Sequence, residues 1–140
     1  MKISTKSRYG TRVILDMAKQ YNNGAIQSQD IAKHQNISLK YLEQIIIPLK
    51  RANYIKSVRG AKGGHLLAKP PDAITVGEIV ALLEGGSSFT ECSENPEACN
   101  QADTCLTRYL WKEAAKAMFG KLNSFTLSDL IEMEKRPEKA

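Results

Sequence analysis

Outside a short stretch between positions 92 and 105, this 140-residue chain contains no cysteine. Three thiols confined to one segment exclude a disulfide scaffold, which spreads paired cysteines along a small chain. No apolar run approaches the ~20 residues that a membrane-spanning helix requires. The basic start MKISTKSRYGTR leads into no apolar stretch of secretory type. The expectation is a cytoplasmic protein in a reducing compartment, where clustered cysteines bind metal or do redox chemistry. Histidine is scarce: His34 and His65 both lie far from the thiols in the chain, so no cysteine–histidine catalytic pair is evident. There is no C-x-x-C, and the paired C-x2–4-C knuckles of a structural zinc site are missing too. Internal repeats are also lacking. These absences argue against an enzyme and against a small-molecule substrate.

What is present is an uneven charge. The net charge is +5, yet residues 1–70 carry 13 Lys/Arg against 3 Asp/Glu, and residues 71–140 carry 7 against 12. A balance of +10 in one half and −5 in the other points to a polyanion facing the first half and a different task for the second. With 42% hydrophobic and 25% charged residues, the composition is that of a folded globular protein.

The hydrophobic period places the elements. Tyr9, Val13, Met17 and Tyr21, with Ile14 and Ala18, form the stripe of a first helix ending near NNG. Ser28 is placed to cap a short second helix, QDIAKHQ, and Ser38 a third, LKYLEQIIIPLKRA. In the third, Leu42, Ile45, Ile46 and Leu49 follow the spacing of a buried face, and Pro48 is expected to disturb the last turn. Two such helices around a tight polar turn read as a helix-turn-helix. The strands YIKSV and HLLA follow, joined by the turn RGAKGG. A hairpin directly after a helix-turn-helix is a wing. Its glycine-rich tip, with Arg59 and Lys62, suits close approach to a phosphate backbone and entry of an arginine into a minor groove.

Beyond Pro70-Pro71, Thr75 and Glu78 form a capping box that opens the helix VGEIVALLE, and Gly85-Gly86 stops it. Residues 87–104 show no period and hold two of the three thiols; a long structureless loop in a small domain is usually functional or disordered. A long helix is predicted from about Asp103 to Gly120 or beyond, with a stripe of Leu106, Leu110, Ala114, Ala117 and Met118 and with Trp111 alongside. It is too apolar for the core available within the chain, so a second subunit is its natural cover. Thr126 and Asp129 cap a last helix, LSDLIEME, before a tail, KRPEKA, expected to be disordered.

The thiols follow C-x6-C-x5-C. Thiolate sulfur is the preferred ligand of iron–sulfur clusters, and spacing alone leaves a cluster, zinc and redox thiols all open. The pieces KISTKSRYGTR, ISLKYLEQI, SVRGAKGGHLL, TVGEIV and CLTRYLW, taken in order, resemble the IscR/NsrR-type family of winged-helix repressors, most closely its IscR branch, the regulators of iron–sulfur cluster biogenesis. The resemblance covers nearly the whole chain. It implies a mainly α fold with a small β-hairpin: a winged helix-turn-helix over 1–86, a cysteine-bearing cluster loop over 87–104, a dimerisation helix and C-terminal helix over 105–132, and a disordered tail over 133–140. It further implies that Cys92, Cys99 and Cys105 hold an iron–sulfur cluster, 2Fe–2S in type. The protein is then a homodimer that represses transcription from palindromic double-stranded DNA. Ser38, Lys40, Tyr41, Glu43 and Gln44 would face the major groove, Arg59 and Lys62 would serve the wing, and Arg8, with Arg12 and Lys6, the phosphates. The chain departs from the family at Arg108, where IscR-like proteins carry a ligating histidine; a guanidinium is no iron ligand. The fourth position then falls to Glu91, Glu94, Glu97, Asp103, Asp16 or water. A nitric-oxide- or iron-responsive regulator of the same family is the nearest alternative. A zinc-stabilised module whose basic half binds RNA is the alternative of another class.

Overall fold

The structure, a computed structural model, describes residues 2–136. Seven α-helices and one antiparallel hairpin appear among the described residues, joined by two short 3-10 turns. Helix α1 (Thr5–Lys19) opens at Ser4, whose Oγ accepts the Ser7 N–H at 3.0 Å. It buries Val13, Ile14, Met17 and Ala18, as the period predicts, with Tyr9 and Tyr21 half-buried against the same core. Helix α2 (Ser28–Gln35) turns into α3 (Leu39–Arg51) through Asn36, which takes the left-handed conformation at φ 54°. Asparagine tolerates that region better than most side chains, and the backbone bond from Ile37 N–H to Ala32 O at 3.0 Å closes the bend. Ser38 caps α3 as expected, its Oγ accepting the Tyr41 N–H at 3.1 Å. Ser28 does not cap α2. It is the first helical residue, Gln27 holds the cap position without a side-chain bond, and the Ser28 hydroxyl turns instead to His65. Pro48 lies inside α3, which runs on to Arg51.

Strands β1 (Ile55–Val58) and β2 (Gly64–Leu67) pair from Ile55↔Leu67 to Val58↔Gly64. On the outer edge of β2, His65 forms an isolated bridge with Ile26, from the loop between α1 and α2. The wing is therefore held from two sides.

Helix α4 (Val76–Glu84) carries the capping box read from the sequence and ends at Gly85, φ 85°. It is buried on two faces. Ile79 and Leu83 join the main core with Val13, Leu42, Ile45, Leu49 and Leu67, while Val76 and Val80 pack with Phe119 in a second cluster. The long helix, α6 (Leu106–Asn123), starts three residues later than predicted, with Cys105 at its N-cap. Its expected stripe is only partly covered within the chain, where Met118 packs beside Phe119. Leu106 is 86% and Leu110 53% exposed, whereas Ala115 and Phe119 are buried. The second half of α6 packs on α4 through Phe119, Met118 and Leu122, while Arg108 in the first half bonds to the Cys92 carbonyl. Helix α7 (Leu127–Glu134) also starts with a capping box, Thr126 to Asp129, and buries Leu127 in the main core. It carries regular structure two residues into the expected tail, of which 137–140 lie outside the described residues.

The entries to α4 and α7 are stitched together. Thr75 and Thr126 form an antiparallel bridge, Val76 N–H donates to Phe125 O at 2.8 Å, and Leu127 N–H donates to Ile74 O at 3.0 Å. Thr75 Oγ1 donates to Asn123 Oδ1 at 2.8 Å, and Gly77 leaves no room for a Cβ beside that side chain. The substitution Gly77→Ala should displace Asn123 and lower stability by about 1–3 kcal/mol, the usual cost of overpacking a close contact, read as a fall in the urea midpoint at unchanged slope.

Candidate nucleic-acid interface and thiol loop

Helix α3 presents one face outward. Burial of Leu42, Ile45, Ile46 and Leu49 leaves Lys40, Glu43 and Gln44 exposed, each with side-chain groups able to address base edges or phosphates. Ile47 continues this face at 48% exposed, and Leu39 stands at its start at 43%. Sequence reasoning missed both. The signal was the run Ile45-Ile46-Ile47: at about 100° per residue, three consecutive side chains cannot all face one core. Of the expected groove residues, Ser38 spends its hydroxyl on the cap, and Tyr41 is half-buried with its ring edge-on to Tyr9, centroids 6.1 Å apart.

Around Tyr9 the N-terminal cations are ordered. The Arg12 guanidinium lies 5.1 Å and that of Arg8 6.0 Å from its ring centroid. Arg12 Nε donates to Gln35 Oε1 at 2.9 Å, which ties α1 to the end of α2. At the wing tip, Arg59 and Lys62 are exposed, and Gly60 at φ 107° turns the chain between them. Among the described residues neither cation has an ion-pair partner. His65, at the base of the wing, is half-buried between two serine hydroxyls. Burial pushes its imidazole pKa below the ordinary value, and the nearby charge of Lys50 acts in the same direction.

The segment 87–104 is not structureless. Helix α5 (Glu91–Glu94) and a 3-10 turn, Pro96–Ala98, occupy it, and Ala102 is buried as an anchor. Local side-chain bonds make these turns: Thr90 Oγ1 lies 2.6 Å from Ser93 Oγ, and Asn95 Oδ1 accepts the Glu97 N–H at 3.2 Å. Cys92 sits in α5 with Sγ 3.3 Å from Thr90 Oγ1; Cys99 follows the 3-10 turn, exposed; Cys105 holds the N-cap position of α6 without a side-chain cap bond. Arg108, in the first turn of α6, donates from Nε to the Cys92 carbonyl at 2.8 Å, so the sides of the loop that bear Cys92 and Cys105 are fastened together. The Thr107 hydroxyl, 3.1 Å from Cys105 Sγ, and then the Arg108 N–H hold that thiol below its ordinary pKa, which favours thiolate. All three cysteines are free. They share the loop but do not converge: among the described residues no group of three or more metal-ligating side chains is assembled. Asp16, one candidate for a fourth ligand, is instead bonded to His34 Nδ1 at 2.9 Å. Glu84, at the other end of the loop, accepts the Ser4 N–H at 2.8 Å; that bond, then the Ser7 and Ser4 hydroxyls, hold its carboxyl below the usual range.

Comparison with known proteins agrees with this arrangement. The family model for Rrf2, described as an iron-dependent transcriptional regulator, matches residues 3–133. Protein rrf2 of Nitratidesulfovibrio vulgaris is 48% identical over 131 residues, covering 94% of this chain and 87% of the relative. CymR of Bacillus subtilis, the global cysteine regulator, is 42% identical over 130 residues, covering 93% of this chain and 89% of the relative. The solved structure of T. potens IscR superposes with a TM-score of 0.80 at 34% identity, over 100% of this chain and 93% of that one. Its relatives are regulators rather than enzymes, and no helix among the described residues is long and apolar enough to cross a membrane. The family model over residues 3–133 and relatives 34–48% identical over 93% or more of the chain, on a winged helix-turn-helix followed by a long helix, place the chain in the Rrf2 family of transcriptional regulators.

Proposed function

We propose that this regulator binds palindromic double-stranded DNA as a homodimer and that its loop over 87–104 senses through an iron–sulfur cluster held by Cys92, Cys99 and Cys105. The observation that carries the reading is the placement of three free thiols on the connection between the DNA-binding unit and α6, the last of them being the cap residue of α6 itself. The donor set fits a thiolate-ligated cluster in kind: none of the three is buried, and the thiolate of Cys105 is favoured. It is not preassembled, so the loop has to rearrange for all three to serve one site. With Arg108 committed to the Cys92 carbonyl and Asp16 to His34, the fourth position is left to Glu91, Glu94, Glu97, Asp103 or water. A 2Fe–2S core fits a loop of three thiolates and one weaker oxygen ligand. When bound, the cluster supplies iron whose gain or loss is the signal; cluster supply, iron and nitric oxide all act on such a centre.

The chain's own residues would transmit that signal. Cys105 and Arg108 set the first turn of α6, and the exposed Leu106, Tyr109, Leu110 and Trp111 of that half offer an apolar face to a second copy. The pairing of two α6 helices fixes the spacing of two wings and two α3 helices, hence the half-site spacing on DNA. Ligand and DNA affinities then alter each other by one common factor. Repression of cluster-biogenesis genes follows the IscR likeness. A second reading, a thiol-based regulator of cysteine metabolism without a cluster, is favoured by the unconverged thiols and the likeness to CymR.

Three measurements test these statements. Oxygen-free purification should give coloured protein with iron and labile sulfide and a resonance Raman signature of bridging sulfide, and Cys92→Ala should lose it. Metal-free protein would instead favour the cysteine-regulator reading, and colourless protein with one zinc per chain the structural module. On a duplex selected from a randomised pool, Gln44→Ala should cost about 1–3 kcal/mol, and Lys62→Ala should reduce the slope of log affinity against log salt by about one. In sedimentation velocity the wild-type particle should be twice the 15.5 kDa chain, and Leu110→Glu should release monomer.

A further inference from the structure

One polar side chain, His65, ties the wing to the first turn of α2. His65 N–H donates to Ile26 O at 2.8 Å, and Ile26 N–H donates to His65 O at 2.9 Å, so both backbone groups of His65 point away from β1. Its cross-strand partner Ser57 is therefore a neighbour without backbone bonds to it, the arrangement that brings facing side chains closest. His65 Nδ1 lies 3.0 Å from Ser57 Oγ, and Nε2 lies 2.9 Å from the Oγ of Ser28, the first residue of α2. A neutral imidazole has one donor and one acceptor, and a hydroxyl serves as either, so both bonds persist in either tautomer. Gly64, at φ 142°, lets the strand run so close to the Ile26 backbone that no Cβ fits between them. Among the described residues the bond to Ser28 is the sole polar side-chain tie between the hairpin and α2.

We propose that His65 is a positioning residue for DNA binding: by bolting β2 to the first turn of α2, it sets the wing tip against α3 so that Arg59 and the recognition face reach one duplex together. The inference rests on the reading that Arg59 contacts DNA.

Three replacements separate the two bonds. His65→Leu removes both. His65→Gln places its amide near the position of Nε2 and keeps the tie to Ser28. His65→Asn places its amide near Nδ1 and keeps only the tie to Ser57. Affinity for the duplex selected on the wild-type chain is measured for each, alone and with Arg59→Ala, together with thermal unfolding. His65→Leu and His65→Asn should weaken binding by roughly threefold to tenfold, the worth of one net hydrogen bond. His65→Gln should stay near wild type, and Ser28→Ala, from the other side of the bond, should reproduce the loss. With Arg59→Ala present, His65→Leu should cost nothing further, because it acts only through the wing. Equal losses in both backgrounds, or rescue by Asn and not by Gln, would overturn the inference. So would unchanged affinity of His65→Leu where Arg59→Ala alone still weakens binding, and that outcome leaves the wing reading intact. An Arg59→Ala variant that binds as wild type does overturns the wing reading and this inference with it.

Discussion

The burial of α4 on two faces is the constraint that orders the molecule. A nine-residue helix with Ile79 and Leu83 on one side and Val76 and Val80 on the other has no solvent face of its own to spare. Each such side chain is worth about 1.5–3 kcal/mol when withdrawn from water, so neither neighbour can be given up cheaply. One side collects α1, α2, α3 and the wing into the basic unit; the other receives the second half of α6. Gly10 of α1 is part of the same condition, because a Cβ there would strike Leu83. Helix α7 of the acidic half closes the same main core through Leu127.

That geometry explains why the thiol loop is where a signal could matter. It leaves α4 just beyond Glu84, whose carboxylate is bonded to the start of α1, and it returns at Cys105, where α6 begins. Both ends are fixed to elements of the DNA-binding unit or of the exposed helix, while Cys99 in the middle is exposed.

Much of this was legible in the residues. Both threonine capping boxes, the Ser38 cap, the glycine stop at Gly85 and the pairing of the wing strands follow from local chemistry, which one sequence carries in full. The errors have a different origin. The stripe of α6 shows that apolar residues share a side, not which neighbour covers them: Leu106 and Leu110 are exposed, and the inner face runs through Ala115 and Phe119, which the stripe did not include. Ser28 reads as a cap by type, but its hydroxyl answers to His65, 37 residues away. The turns around Thr90 and Asn95 are made by side chains bonding nearby groups, and such bonds leave no period to detect. Thiol convergence could not be judged from C-x6-C-x5-C, since spacing limits reach and does not fix direction.

The bridge between Thr75 and Thr126 has one further implication. It joins two points of the chain that lie on either side of the thiol loop, and the packing of Phe119 on Val76 and Val80 reinforces it. A protease that cut the peptide bond beside Cys99 would sever the polypeptide without separating its pieces. The nicked product would migrate as one body under native conditions and as two fragments in detergent, its core still closed.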